Sequence, residues 1–453
     1  MKDLTQGSIS RHILQMAAPI ALGMIFQTMY YLVDLYFVSG LGDTAVAGVS
    51  AAGNVALLVV GLTQALGVGT VALISHAVGR KDQPEANLIF NQSLVLAALF
   101  GAVTLVGGYA CTRWYLRSIA ADAATVEAGT VYLYWFLPGL ALQFAMIAMG
   151  SALRGTGIAK PTMVAQIVTV VMNIILAPIL IAGWGTHYPL GVAGAGLAST
   201  LAILTAVIIL WLYFTRLEKY VGFHRELWRP QLQAWKRMLG IGLPAGGEFM
   251  LMFVFMGVVY WCIRDFGPEA QAGYGIGSRI MQSVFLPAMA IAFAAGPVAG
   301  QNFGARHPER VRETFYKAIL FSSSIMAMLT LLAHWKPEWI VGGFSKDPEV
   351  VQVAATLFQI SSWNFVAQGL VFTCSSMFQG LGNTRPALIS TGTRIVTFAL
   401  PAIWLSRQQG FRLEHIWYLS LAAVLFQAVV SLSLLHLEFR RRLAPMSPVA
   451  VPA

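Results

Sequence analysis

The chain has 453 residues, of which 57% are hydrophobic and only 11% are charged, and its mean hydropathy is +0.69. A soluble protein of this length would carry roughly a quarter charged residues. The apolar stretches instead approach the ~20 residues that cross hydrocarbon as a helix. The alternating pattern of a transmembrane barrel is missing. The composition therefore excludes a soluble protein and predicts an all-α polytopic membrane protein.

Twelve apolar runs separated by polar breaks are the predicted transmembrane helices. In chain order they cover residues 13–38, 47–76, 93–115, 128–150, 161–183, 191–214, 239–263, 272–301, 315–334, 351–377, 386–405 and 415–437. The longest polar connection divides them six and six. The predicted domains are an N-lobe over 1–214, a cytoplasmic inter-lobe loop over 215–238, a C-lobe over 239–437 and a cytoplasmic tail over 438–453.

The basic residues orient these spans in the membrane. With both termini in the cytoplasm, twenty of the 29 Lys and Arg residues fall inside, seven fall outside and two lie within spans. Such asymmetry is the positive-inside pattern. The placement of the basic residues therefore predicts a multi-pass membrane protein with both termini in the cytoplasm, and the net charge of +10 does not indicate nucleic-acid binding.

The two halves of the chain repeat each other at a constant shift of 225 residues. Pro19 corresponds to Pro244 and Gln143 to Gln368, and RGTGIAKP (154–161) corresponds to QGLGNTRP (379–386). A constant offset without a gap is typical of internal duplication. Because each half has an even number of spans, the halves form a parallel repeat of six-helix lobes, and we expect them to face a central cleft.

Three motifs carry a resemblance to a known family. They are Pro19, Gln27, Tyr30 and Asp34 in the first span, the duplicated G-x-G-x-x-[KR]-P loop, and VGRKD (78–82) with its echo FGARH (303–307). In these motifs the chain resembles the multidrug and toxic compound extrusion (MATE) family over its whole length, and its first span is similar to the DinF-type bacterial and archaeal branch. The resemblance implies a V-shaped pair of lobes in the bacterial cytoplasmic membrane that exports cationic or amphipathic compounds in exchange for H⁺ or Na⁺.

The first span contains one acidic residue, Asp34, within TMYYLVDLYFVSG (28–40). An ionised Asp at mid-membrane costs about 2.5–3.5 kcal/mol, so burial there favours the protonated form. Gln27 and either Tyr30 or Tyr31 share its helical face, and Pro19 can bend the helix as a hinge. We therefore predict that Asp34 binds and releases a proton; the alternative is an aspartate that serves packing alone.

The resemblance implies further groups for the cation site in the first lobe. Asn173 in MNIILAP (172–178) matches a family asparagine, and Ser199 or Thr200 is the candidate hydroxyl on the sixth span. Ala177 stands where related sequences often carry a second aspartate. One carboxylate suits a proton better than Na⁺, although Asp34 with Asn173 and a hydroxyl leaves weak Na⁺ binding open.

Polar residues in other spans are candidates for the cleft. Gln143 and Gln368 either cross-link helices or face the cleft, because buried amides need partners. Glu248, near the start of the seventh predicted span, is either a second protonatable group or a solvated one. Arg279 and Arg394 lie in or near spans, where we expect structural roles.

The remaining expectations concern partners and alternative functions. We expect a monomer in the lipid bilayer whose substrates are small cationic or amphipathic drugs, with no cofactor and no metal site beyond the coupling ion. The main alternative is a flippase for a lipid-linked precursor from the same superfamily. An enzyme is not indicated, because the chain has no HExxH, GxSxG or P-loop motif.

Overall fold

The computed structural model describes residues 1–120, 122–335 and 347–446. These residues form thirteen α-helices and no β-strand, so the predicted all-α class is confirmed. The helices are α1 (Ile9–Ser39), α2 (Asp43–Gly79), α3 (Gln83–Ile119), α4 (Ala123–Gly155), α5 (Lys160–Ala182), α6 (Val192–Arg216), α7 (Leu232–Ile263), α8 (Pro268–Gly304), α9 (Pro308–Trp335), α10 (Pro348–Ser362), α11 (Phe365–Leu381), α12 (Arg385–Leu405) and α13 (Leu413–Arg442).

Eleven of the described helices are long and apolar enough to cross a membrane, and α10 with α11 forms the twelfth span as a pair bent by 61°. The prediction of one continuous helix over 351–377 was therefore wrong. At the break, the Ser362 hydroxyl donates to the Gln359 carbonyl (2.7 Å), and Thr330 Oγ1 donates to the Ser362 carbonyl (2.9 Å). Hydroxyls that take over backbone acceptors interrupt the helical hydrogen bonding and bend the span.

The chain divides into two compact units. The N-terminal unit contains Met1–Asp3 and Ala18–Gly246, and the C-terminal unit contains Leu4–Ala17 and the chain from Gly247 onward. Two of the boundaries thus lie inside α1 and α7, close to Pro19 and Pro244. The predicted lobe limits at 214 and 239 follow the polar loop instead, and they stay a prediction; residues 447–453 of the predicted tail lie outside the described residues.

Backbone geometry repeats at the same 225-residue shift as the sequence motifs. Lys81 and Arg306 lie two residues after the ends of corresponding helices and have φ of 60° and 58°, and Gly157 and Gly382 have φ of 81° and 75°. The second glycine of the G-x-G motif therefore supplies a left-handed turn that side chains disfavour. The motif that identifies the duplication in the sequence has the same structural task in each unit.

The loop between α6 and α7 is held against α3 within the N-terminal unit. Asn91 Nδ2 donates to the Gly222 carbonyl (2.9 Å), and Asn91 Oδ1 accepts from Trp228 Nε1 (2.9 Å). Gln92 Nε2 donates to the Leu227 carbonyl (2.6 Å). Both amides are fully buried, so the linker between the repeats is a fixed part of this unit.

Candidate cation-coupling site

Asp34 lies five residues before the end of α1, which is about 8 Å from its end. It is therefore close to one end of the helix, and it is equally close to the end of the predicted run over 13–38, so neither range puts it at the middle of the span. Its Oδ1 atom is buried without a hydrogen-bond partner among the described residues. It forms no ion pair with any described basic residue. The Oδ1 atom is thus shielded from water, and no described basic residue neutralises the charge of the carboxylate.

The packing of α1 on α5 sets what faces Asp34. Gln166 of α5 packs directly against Gly23 of α1, and towards the other end Val38 shares a buried cluster with Ala177. The two helices therefore run in the same direction. Asp34 follows Gly23 by eleven residues, as Ala177 follows Gln166, so the two residues are level. The position opposite Asp34 is apolar.

Asn173 and Ser199 lie close to this level on neighbouring helices. Asn173 is one turn before Ala177 on α5, and both of its side-chain polar atoms are buried without partners within the described chain. Gly194 of α6 packs against the Leu180 carbonyl of α5. Because α6 runs opposite to α5, Ser199 reaches the turns around Asn173, and its Oγ is also buried and unpartnered among described residues.

The other predicted members of the site lie on the same helix as Asp34. Tyr30 is half-buried one turn earlier and level with Asn173, whereas Gln27 is exposed a further turn away. Pro19 is buried next to the unit boundary in α1. Nothing in these contacts tests their roles, which stay predictions.

Thr200, the alternative hydroxyl, has a structural contact instead. Pro138 interrupts α4, and Thr200 Oγ1 donates to the Trp135 carbonyl (2.6 Å) while it accepts from the Gly139 N–H (3.2 Å). One hydroxyl thus bridges a donor and an acceptor of the interrupted helix. Of the two candidate hydroxyls, that of Ser199 is the one without a hydrogen-bond partner among the described residues.

The cleft candidates are in different surroundings in the two units. Gln143 Oε1 on α4 is buried without a partner among described residues, whereas Gln368 Oε1 on α11 accepts from Arg394 Nη1 (3.2 Å).

Glu248 is sixteen residues into α7, so the prediction that it lies near the helix start was wrong: α7 begins at Leu232, inside the predicted loop. Its Oε2 accepts from the Ser375 hydroxyl (2.8 Å).

Ser375 is the contact that sequence reasoning missed. It lies seven residues after Gln368 on α11, so the two residues share a helical face. That spacing could have indicated Ser375 from the sequence. Serines are common where membrane helices pack, however, and the neighbouring residue 376 is also a serine, so the spacing did not single out Ser375. The partner on α7 becomes evident only from the packing.

Together, the carboxyl of Asp34, the amide of Asn173 and the hydroxyl of Ser199 offer oxygen atoms suited to a proton or a hard cation. A cluster of three His, Cys, Asp or Glu side chains, which a transition metal would need, does not occur in the part of the chain that the structure describes.

A family model agrees with this architecture. The MatE model matches residues 19–179 and 244–405, which together exceed half of the chain and begin 225 residues apart. The chain belongs to the MATE family. The resemblance found in the motifs is thereby confirmed, and the protein is a multi-pass membrane transporter by family.

Curated relatives and solved structures are similar to this MATE chain over most of its length. It is 26% identical over 392 residues to "Probable multidrug resistance protein YoeA" of Bacillus subtilis (strain 168), and 24% identical over 387 residues to "Multidrug export protein MepA" of Staphylococcus aureus (strain MSSA476). Each match covers 84% of both chains. A MOP superfamily transporter from Pyrococcus furiosus superposes with a TM-score of 0.88 at 25% identity, covering 99% of this chain and 98% of that one.

A further structure, of a MATE protein in the bent conformation, superposes with a TM-score of 0.91 at 23% identity, and the superposition covers 98% of each chain. At that identity the likeness concerns the fold alone. It supports the arrangement of twelve spans in two repeated lobes.

Proposed function

We propose that this MATE transporter exports cationic and amphipathic drugs by antiport with protons, with Asp34 as the group that is protonated and deprotonated. Export of several drugs is supported by the relatives named for multidrug resistance and multidrug export. Membership of the family supports transport rather than an enzymatic reaction. The substrates are accordingly small molecules that enter from the cytoplasm or the inner leaflet.

The observation that carries the proton proposal is the state of Asp34 itself. Its buried Oδ1 has neither a hydrogen bond nor a counter-ion among the described residues. An ionised carboxylate in such a place is costly, whereas the neutral acid is tolerated. Protonation from the outer side and release to the cytoplasm thus change the charge of α1 during each cycle, and Pro19 gives this helix a place to bend.

The surroundings of Asp34 favour H⁺ over Na⁺. A sodium ion needs several oxygen ligands with enough negative charge, and a proton needs one oxygen. Ala177 is level with Asp34 and supplies no second carboxylate. Asn173 and Ser199 would then orient the carboxyl by hydrogen bonds rather than complete a metal shell.

The test is export from proteoliposomes with one gradient imposed at a time. We expect a pH gradient alone to drive transport of a cationic dye, and Asp34→Asn to abolish it, because the amide cannot release a proton. Asp43→Asn is the matched control, since Asp43 is exposed in the first turn of α2. Transport driven only by a Na⁺ gradient, or unchanged transport by Asp34→Asn, would contradict the proposal.

A further inference from the structure

A cavity of about 30 Å³ lies between α4, α5 and α6 within the N-terminal unit. Its polar lining consists of Ser151, Arg154, Thr162 and Gln166, and none of the described residues that line it is acidic. One water molecule needs roughly 10–15 Å³ of such space. The cavity therefore has room for two water molecules or for one monatomic ion that is larger than water.

Arg154 brings to this cavity a positive charge that has no counter-ion. It is half-buried in the last turn of α4. Its Nη2 donates to Ser151 Oγ (3.0 Å), which is the one hydrogen bond that the guanidinium forms with the described residues. No described carboxylate lies within 4.0 Å. A guanidinium has five N–H donors, so most of its hydrogen-bonding capacity remains available to a ligand.

Two hydroxyl groups extend this set of donors. Thr162 is in the first turn of α5, and its Oγ1 is buried without a hydrogen-bond partner among the described residues. Ser151 Oγ accepts from Arg154, so its own O–H can still donate. The first turn of a helix also carries the positive end of the helix dipole, which favours an anion. The charge and the donors around the cavity therefore suit an anion.

Glycines on two helices leave room for these donors. A Cβ at Gly67 of α2 would be 3.0 Å from Ser151 Oγ, and a Cβ at Gly150 of α4 would be 3.4 Å from Thr162 Oγ1. Either methyl group would press on a hydroxyl that lines the cavity. The close approach of α2 and α5 to α4 thus keeps both hydroxyls beside Arg154.

The repeat shows that the fold does not require this set of donors. The counterparts of Arg154 and Thr162 in the second copy are Gln379 and Ala387. The counterpart of Ser151 is Ser376, whose hydroxyl donates to the Ala292 carbonyl. The same helix pair thus forms without the charge and without the second hydroxyl. Their presence in only one copy points to a ligand of that copy.

The cavity is separate from the candidate cation-coupling site. Gln166, which lines the cavity, precedes Ala177 on α5 by eleven residues. This spacing corresponds to roughly 16 Å along the helix. Because Ala177 is level with Asp34, an anion in the cavity is not a counter-ion of the coupling site.

We propose that this cavity binds a chloride ion, held by the guanidinium of Arg154 and the hydroxyls of Ser151 and Thr162. A monatomic anion fits both the volume and the donors, whereas a cation is repelled by the guanidinium and sulfate needs more space. The bound ion neutralises Arg154 and joins the end of α4 to the start of α5. This site goes beyond the proposed export function and does not depend on it.

Thermal unfolding of the purified protein in detergent tests the site, with sodium gluconate replaced stepwise by sodium chloride at constant ionic strength. A ligand of the folded state stabilises it according to its concentration relative to Kd, so we expect the wild-type melting temperature to rise with chloride. Arg154→Gln should raise the Kd for chloride at least about tenfold, because a charge-assisted hydrogen bond is lost. Thr162→Ala should raise it by a smaller factor, because it removes one neutral donor.

Arg216→Gln is the matched control, since Arg216 is an exposed arginine in the last turn of α6 in the same unit. It removes the same charge and should leave the dependence on chloride as in the wild type. Each comparison is made between the two salts within one variant, so a change in baseline stability does not enter. The second copy already has glutamine and alanine at the two substituted positions, so both variants should fold.

Bromide locates the site directly, because it has the charge of chloride and a strong anomalous X-ray signal. Crystals soaked in sodium bromide should show an anomalous peak between the Arg154 guanidinium and Thr162 Oγ1. Equal wild-type melting temperatures in the two salts would overturn the proposal and indicate that the cavity holds only water. A dependence on chloride that persists unchanged in Arg154→Gln, or the lack of a bromide peak in the cavity, would also overturn it.

Discussion

At the scale of single residues, the close packing of α7 on α2 in the N-terminal unit depends on glycine. The Ala65 carbonyl lies directly where a Cβ on Gly242 would be, and the Gly61 carbonyl would be 2.7 Å from a Cβ on Gly246. Both neighbours are backbone atoms, which cannot rotate away. Small residues at such contacts let membrane helices approach each other closely.

Gly242→Ala should therefore lower the thermal stability in detergent, because the added methyl group forces α7 away from α2. Overpacking of this kind typically costs about 1–3 kcal/mol. Gly240→Ala on the same helix is the control: nothing lies within 4 Å of its Cβ position, and alanine favours the helix by about 1 kcal/mol. A higher melting temperature for Gly242→Ala than for Gly240→Ala would contradict this account.

The candidate site could be predicted only in part. Asp34 was evident because a carboxyl group is costly within an apolar run, whereas Asn173 was indicated by the family resemblance. Ser199 and Thr200 are adjacent small hydroxyl residues, so the sequence could not separate them; the interruption of α4 at Pro138 does. The hydrogen bond from Arg394 to Gln368 was equally hidden, because it depends on which side chains other helices bring near.

At the scale of elements, the interruption of α4 shows how a span tolerates proline. Pro138 has no N–H for the Tyr134 carbonyl, and the Tyr109 hydroxyl of α3 donates to that carbonyl instead (2.9 Å). The Thr200 hydroxyl of α6 donates to the Trp135 carbonyl and accepts from the Gly139 N–H. Neighbouring helices thus satisfy the freed backbone groups, as helices in lipid require, and the three helices become interdependent.

Thr200→Val should test this dependence, because it keeps the shape of the side chain and removes the hydroxyl. Leaving the Trp135 carbonyl and the Gly139 N–H without their partner should cost about 2 kcal/mol. Thr205→Val is the control on the same helix, since its hydroxyl donates only to the Leu201 carbonyl of its own turn (2.8 Å). The check is thermal unfolding in detergent, and equal melting temperatures for the two variants would refute the bridging role.

Hydropathy predicted the number and order of the spans because their apolar length is dictated by the bilayer. It did not predict the bend between α10 and α11, since no proline or glycine marks residues 359–364. That bend depends on Thr330 of a different helix. Nor did it predict that α7 begins at Leu232, because the first turns of this helix are polar and resemble a loop.

At the scale of the whole molecule, the linker between the repeats belongs to the N-terminal unit. Buried amides of α3 replace the hydrogen bonds that a loop would make with water, and they fix residues from Gly222 to Trp228. The α6–α7 connection is therefore ordered by contacts within one unit. Its polar composition had predicted the linker, but not the amides that hold it.

Asn91→Leu should release this linker, because the variant removes the three hydrogen bonds from Asn91 to the linker, each of which contributes about 1 kcal/mol. We expect trypsin to cleave after the exposed Arg225 at least about tenfold faster than in the wild type. Ser93→Ala on the same helix is the control, since its hydroxyl donates only to the Phe90 carbonyl nearby (2.7 Å). An unchanged cleavage rate would mean that other contacts hold the linker.

The duplication left the two copies with different polar residues on one backbone plan. The counterparts of Asp34 and Asn173 in the second copy are Val259 and Phe398, while those of Glu248 and Ser375 in the first copy are Gly23 and Gly150. Each half therefore has an apolar residue or a glycine at the position where the other half has a functional polar residue. The two halves could therefore acquire different functional residues without a change of fold. For mutagenesis, the residue at the matching position of one half is a substitution that the same backbone already accommodates in the other half.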